Sequence, residues 1–319
     1  MGKIIDAAGE FFHHLADVHW LPLAIALGFQ FLRLLARAPA WRNILRAAYP
    51  ELIIPRRTVL GAYLAGVGVN AVVPARGGDL LKLYLVKHRV EDTTYPTLGA
   101  TLLVETLFDT VLAGSLLVWA LVIGVLPSLD VLPHLPQVDW SWPFRHKREA
   151  AVIGAVWLAV LLLLLLIAMA RVRSFKERVA QGFAILRPFR RFITQVCSWQ
   201  ALSWGFRLAS VYFFLEAFGV PSTLHNALLV LVVQSLATLF PFTPGGVGTQ
   251  QGLLVYVFDR AGNGIKGSLL LSFSVGMYIA TTILHVFVGF VALFLMVGTV
   301  RWRRLLPEDE KAKAYARGP

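Results

Sequence analysis

Glu105 and Asp109 stand four residues apart in a stretch, from about Tyr95 to Leu126, that carries no other charge. On a helix this spacing puts both carboxylates on one face. Two acids facing hydrocarbon are very costly, so they must face protein, a cavity or a cation. Such a pair suits headgroup binding, a coupling proton or a structural ion pair. Arg207 lies within the apolar stretch from Phe192 to Phe218 and needs an anion. Glu105–Arg207 and Asp109–Arg207 are both open pairings. His285, in the last apolar stretch, is of the residue type that titrates near neutral pH. A core histidine making one hydrogen bond is its plainer reading. Gln200 and Gln234 are polar in apolar surroundings and are suited to joining helices.

Two broken segments carry the second set of candidates. Pro74-Ala75-Arg76-Gly77-Gly78-Asp79 is followed by Lys82, and Phe240-Pro241-Phe242-Thr243-Pro244-Gly245-Gly246-Val247-Gly248-Thr249 sits between two apolar runs. Proline and glycine at this density forbid a continuous helix. A helix broken inside a membrane leaves N–H groups unpaired at its new N-terminus. Glycines let a ligand oxygen approach that backbone, and the helix dipole favours an anion there. The expected site is therefore Arg76, Gly77, Gly78, Asp79 and Lys82 at the first break. At the second break it is Thr243, Pro244, Gly245, Gly246, Gly248 and Thr249. Glu105, Asp109 and Arg207 line the polar path between them. A lipid phosphate fits such a site; a tight membrane turn without ligand is the alternative.

Composition sets the class. Charged residues are 15% of the 319 and hydrophobic ones 57%, where a soluble domain is about 25% charged. Ala151 to Ala170 carries no charge at all, as expected of an integral membrane protein. The net charge of +12 does not imply nucleic acid, because the basic residues lie mostly between apolar spans. There they act as topology signals and contacts to anionic lipid. No nucleotide loop, zinc-protease pattern or cysteine–histidine metal pattern is present, so no cofactor and no metal are expected. The one cysteine, Cys197, rules out an internal disulfide.

The positioning elements follow from hydropathy. Residues 1–18 read as an interfacial amphipathic helix, 19–304 as a single membrane domain and 305–319 as a flexible cytoplasmic tail. The basic segments at 37–57, 171–191 and after 300 are expected on the cytoplasmic side. Parity is then satisfied if 59–87 and 224–258 enter, turn and return. The fold class is an all-α polytopic membrane protein with broken or re-entrant helices. Residues 19–126 and 192–300 form an inverted-topology repeat joined by helix 151–170, unless both breaks are ordinary loops between full spans.

Asn70 through Asp79, then Glu105 and Asp109, then Phe240 through Gly248, resemble in order and spacing the flippase-like family. This family is the membrane region of lysylphosphatidylglycerol synthase. The resemblance covers about 20–300. The family usually has Glu at the position of Asp79, Arg at that of Lys82, and Arg at that of Thr106. The chain shows no aminoacyltransferase domain after residue 300. The resemblance implies translocation of an anionic phospholipid, an aminoacyl-phospholipid or a polyprenyl-phosphate-linked precursor across the cytoplasmic membrane. It also implies membrane lipids and an envelope-biosynthesis enzyme as partners. An integral-membrane transferase acting on a lipid phosphate, and a nonenzymatic scaffold, are the competing functions.

Overall fold

The computed structural model describes residues 18–73, 77–122, 173–187, 189–239, 249–260 and 264–298. No strand occurs among them, and the chain is an all-α membrane protein. The interfacial helix expected before residue 18, the 151–170 helix, the 305–319 tail and the tips of both broken segments lie outside the described residues. So do Arg76, Thr243, Pro244, Gly245, Gly246 and Gly248.

Helix α1 runs Trp20–Ala48 with Pro39 inside it. The basic segment that begins at Arg37 is helical in its first part, because the helix continues through Arg37, Arg42 and Arg46. The face carrying Leu34, Arg37, Trp41, Ile44, Leu45 and Ala48 is buried, and this packing holds the last three turns helical despite their charge.

Helices α2 (Arg56–Val72) and α3 (Gly77–Arg89) form an antiparallel hairpin. The Asn70 side chain accepts the Gly78 N–H at 2.7 Å and donates to Asp79 Oδ1 at 3.2 Å. It thus satisfies one of the free donors at the start of α3. The arms meet where Gly78 lies against the Gly66 carbonyl, so closely that a methyl group there would overlap the oxygen. At 1.5 Å per residue the arms are about 25 and 20 Å long, short of a hydrocarbon core of about 30 Å.

Helix α4 spans Tyr95–Val122. The basic segment at 171–191 contains α5 (Arg173–Gly182), followed by a 3₁₀ turn, Ala184–Leu186. It links the ends of α1 and α4: Thr97 Oγ1 donates to the Arg178 carbonyl at 2.8 Å, and Gln181 Nε2 donates to the Ala48 carbonyl at 2.7 Å. The apolar stretch from Phe192 to Phe218 is not one uniform helix. It comprises the end of α6 (Phe189–Phe192), a π turn (Ile193–Cys197) and α7 (Ser198–Ala217). Helices α8 (Leu224–Leu239) and α9 (Thr249–Arg260) flank the second break, and α10 spans Gly267–Gly298.

Among the described residues, three helices are long and apolar enough to cross a membrane, over Trp20–Ala48, Tyr95–Ala120 and Gly267–Met296. Phe287, Phe290, Phe294 and Leu295 of α10 are 62–68% exposed. Such a face is suited to hydrocarbon rather than water. Two long pairings organise the bundle. Helix α7 lies along α1, with Ser210 Oγ donating to the Ala26 carbonyl at 2.9 Å and Phe29 stacked on Phe213. Helix α10 crosses α2 at two glycines, where a Cβ on Gly68 would sit 2.6 Å from the Gly289 Cα. Small residues are the usual contact of helices that pack in lipid.

Candidate polar site in the helix bundle

The buried polar groups gather where α1, α3, α4 and α7 meet. Arg37 of α1 reaches Asp109 Oδ2 at 2.5 Å and Glu105 Oε1 at 3.5 Å. The other Glu105 oxygen faces Lys82 Nζ at 3.4 Å, and Lys82 also lies 3.4 Å from Asp79 Oδ1. Lys82 sits between two aromatic faces, 4.7 Å from the Tyr63 ring centre and 5.2 Å from that of Trp41. Cation–π contacts of this kind strengthen when desolvated, and Lys82 is buried, as is Glu105. Gln200 Nε2 donates to the Glu105 backbone carbonyl at 3.1 Å, joining α7 to α4.

From Asp109 the network continues into α7. Trp204 Nε1 donates to Asp109 Oδ1 at 2.8 Å, and Arg207 stacks on the Trp204 ring at 4.5 Å. Arg207 then donates to Gln234 Oε1 at 2.7 Å. Arg33, one turn before Arg37, has a long contact of 3.4 Å to Gln30 Oε1. Gln30 in turn meets His285 Nε2 at 3.1 Å. Among the described residues no carboxylate lies within ion-pair distance of Arg33 or Arg207, whose hydrogen-bond partners are neutral amides.

Both arginines face open space. A cavity of about 610 Å³ is lined by Arg33, Arg37, Asp109, Trp204 and Arg207, with Thr106 and Thr110 on its α4 side. A second cavity, of about 170 Å³, shares Arg33 and Arg207 and is walled by Gln30, Gln234, Gln250 and His285. Gln250 belongs to the first turn of α9, so the helix following the second break opens beside these arginines. Buried Arg37 Nε and Gln200 Oε1 have no hydrogen-bond partner among the described residues. Buried polar atoms are ordinarily satisfied, so these two leave capacity for water or a ligand. The arrangement is a cavity within the helix bundle whose lining carries three arginines, Arg33, Arg37 and Arg207, and the carboxylate of Asp109.

A family model described as the lysylphosphatidylglycerol synthase TM region matches residues 7–289. The chain belongs to this family. The match includes every charged residue of the network just described. Among relatives, the UPF0104 membrane protein MJ1078 of Methanocaldococcus jannaschii is 24% identical over 197 residues, which cover 59% of this chain and 78% of that protein. No solved structure matches the chain.

The structure brings Asp79, Lys82, Glu105 and Asp109 into one network. Gly77 and Gly78 open α3 beside it, and Thr249 is the first residue of α9. Of the pairings left open, neither Glu105–Arg207 nor Asp109–Arg207 is at ion-pair distance among the described residues. Arg37 and Lys82 hold them, while Arg207 points to α8 and pairs with Gln234. His285 makes the hydrogen bond of a core histidine, to Gln30. Arg33 and Arg37 are the site residues that the sequence reading missed. Their signal was present: Gln30, Arg33 and Arg37 repeat at helical spacing and so share one face.

Trp204→Phe retains a ring under Arg207 and removes only the N–H donated to Asp109. Its expected cost is about 1.5 kcal/mol, the low end for a hydrogen bond to a charged group, because Arg37 still holds the carboxylate. Chemical unfolding in detergent micelles measures it; Trp204→Leu, which also removes the ring, should cost more.

Proposed function

We propose that this protein moves an anionic lipid between leaflets, holding the lipid phosphate between Arg33 and Arg207. The substrate class is an anionic phospholipid, an aminoacyl-phospholipid or a polyprenyl-phosphate-linked precursor. The observation that carries the reading is the pair of guanidinium groups that face shared cavities and whose hydrogen-bond partners among the described residues are neutral amides. Arg33 lies near the middle of α1 and Arg207 near the middle of α7, the depth at which transporters hold their substrates. Two guanidinium forks match a phosphate well. Asp109 lines the same cavity, so an arriving phosphate competes with it for Arg37. That competition is the proposed means by which headgroup binding loosens the α1–α4 contact.

The same reading takes residues 19–126 and 192–300 as inverted repeats. The packing supports it, because the contacts come in matched pairs. Helix α1 lies on α7; α2 on α10 corresponds to α8 on α4; the α2–α3 hairpin corresponds to α8 and α9; and α3 on α4 corresponds to α9 on α10. The cytoplasmic-membrane location and a cytoplasmic C-terminus belong to this proposal and rest on the basic segments.

The test is leaflet exchange of fluorescent phosphatidylglycerol in proteoliposomes. Arg33→Gln and Arg207→Gln should each slow the protein-dependent rate by about tenfold. This corresponds to roughly 1.4 kcal/mol, at the lower edge for a charge-assisted hydrogen bond. Unfolding midpoints near the wild-type value would show that the fold survives. Equal exchange in wild type, both variants and empty liposomes would refute translocation.

A further inference from the structure

A third cavity lies apart from the polar centre and shares no lining residue with the two cavities there. It is a groove of about 640 Å³ between α2 and α10. Its walls are apolar, with Leu60, Leu64, Val288, Val291 and Ala292 among them, and Phe31 closes its deep end. Two arginines, Arg57 and Arg89, stand at the other end. Arg57 is in the first turn of α2 and exposed, and Arg89 is the last residue of α3 and donates to the Met296 carbonyl. The mouth is therefore the end of the bundle where α2 starts and α3 and α10 finish. Gly61 keeps the floor open, since a Cβ there would lie 2.6 Å from the Met296 sulfur.

We propose that this groove is a binding site for one anionic phospholipid of the adjacent leaflet, with an acyl chain along the α2–α10 floor and the phosphate at Arg57 and Arg89. Three observations select this occupant. The groove opens beside Phe287 and Leu295, which are 65% and 62% exposed, so in a bilayer it opens to acyl chains. Along α10 it runs from Phe287 to Met296, a rise of about 13 Å, close to the depth of one leaflet. Finally, guanidinium groups occupy only the headgroup end of an otherwise apolar trough, which is the charge distribution of an anionic phospholipid in complement. The site is distinct from the Arg33–Arg207 cavity and would hold whether or not lipid crosses the membrane.

The test uses the full chain in phosphatidylcholine vesicles doped with a phosphatidylglycerol whose acyl chain carries a photoreactive diazirine. Phosphatidylcholine with the same chain serves as the comparison. Adducts should map to 60–64 and to Val288, Val291 and Ala292. Phe290 and Phe294, exposed on α10 but outside the groove, should be labelled equally by both lipids. Each arginine should favour the anionic analogue by about fivefold, the effect of one basic residue at a membrane surface. Arg57→Gln, an exposed change that leaves the packing intact, should lower groove labelling by about that factor. Val291→Trp should block labelling by both lipids. Equal labelling of the groove by the two headgroups in wild type would overturn the proposal. So would adducts confined to Phe290 and Phe294, or crosslinks between two copies in place of lipid adducts.

Discussion

Arg37→Met should destabilise the protein by about 3–5 kcal/mol, the cost of breaking a buried ion pair from one side. The change removes the 2.5 Å partner of Asp109 and the second cation beside Glu105. Glu105 keeps Lys82 at 3.4 Å, and Asp109 keeps the Trp204 N–H at 2.8 Å. Neither contact replaces a guanidinium, and among the described residues Asp109 is left with no cation at ion-pair distance. The loss is therefore a penalty on the remaining charge more than the worth of the pair. This predicts a specific rescue. Arg37→Met with Asp109→Asn removes both charges and should recover at least half of the lost stability, although Asp109→Asn alone is itself destabilising. Unfolding of the four proteins in the same detergent completes the cycle. Additive losses in the double variant would show that the two residues do not act as a pair.

The second large effect is expected from the smallest substitution. Gly78→Ala places a methyl group on the Gly66 carbonyl oxygen and 2.8 Å from the Asn70 backbone nitrogen. Both obstacles are backbone, so no rotamer change relieves them. The α2–α3 hairpin must open, and the Gly78 N–H loses its acceptor on Asn70. Lys82, one turn along α3, then moves off Glu105 and out of the Trp41–Tyr63 aromatic pair. We expect at least about 3 kcal/mol of destabilisation, the upper end for an overpacked contact. Gly205→Ala in α7 is the matched control, since a Cβ there meets nothing within 4 Å. It should stabilise its helix by about 0.5–1 kcal/mol. Thermal unfolding in detergent measures both, and equal midpoints would show that the hairpin is not as closely packed as described.

These two sites differ in how readily they were read from the chain. The Pro-Gly break at residues 74–78 announces a turn by residue type alone, because proline and glycine act on their own backbone. The need for Gly78 to lack a side chain depends on Gly66 of the other arm, which no local pattern specifies. Arg37 was hidden for a different reason. It opens a run of basic residues that resembles a loop, yet Trp41, Ile44, Leu45 and Ala48 bury one face of that run and keep it helical. Hydropathy averages over a window and cannot separate the buried arginine of such a run from the exposed ones.

What the amino-acid sequence determined by itself is the membrane class, the all-α architecture and the positions of most helices. It also required that Glu105 and Asp109 face protein, a cavity or a cation, because paired acids in an apolar helix cannot face lipid. Each of these follows from composition or from spacing within one helix. Which cation answers the acids was decided only by the tertiary structure. Arg37 lies 68 residues from Glu105 in the chain, and Arg207 is drawn instead to Gln234. Helical periodicity defines a face but not what lies opposite it. The α1–α4–α7 packing sets that opposition, giving the acids to Arg37 and Lys82 and leaving Arg33 and Arg207 at the cavities.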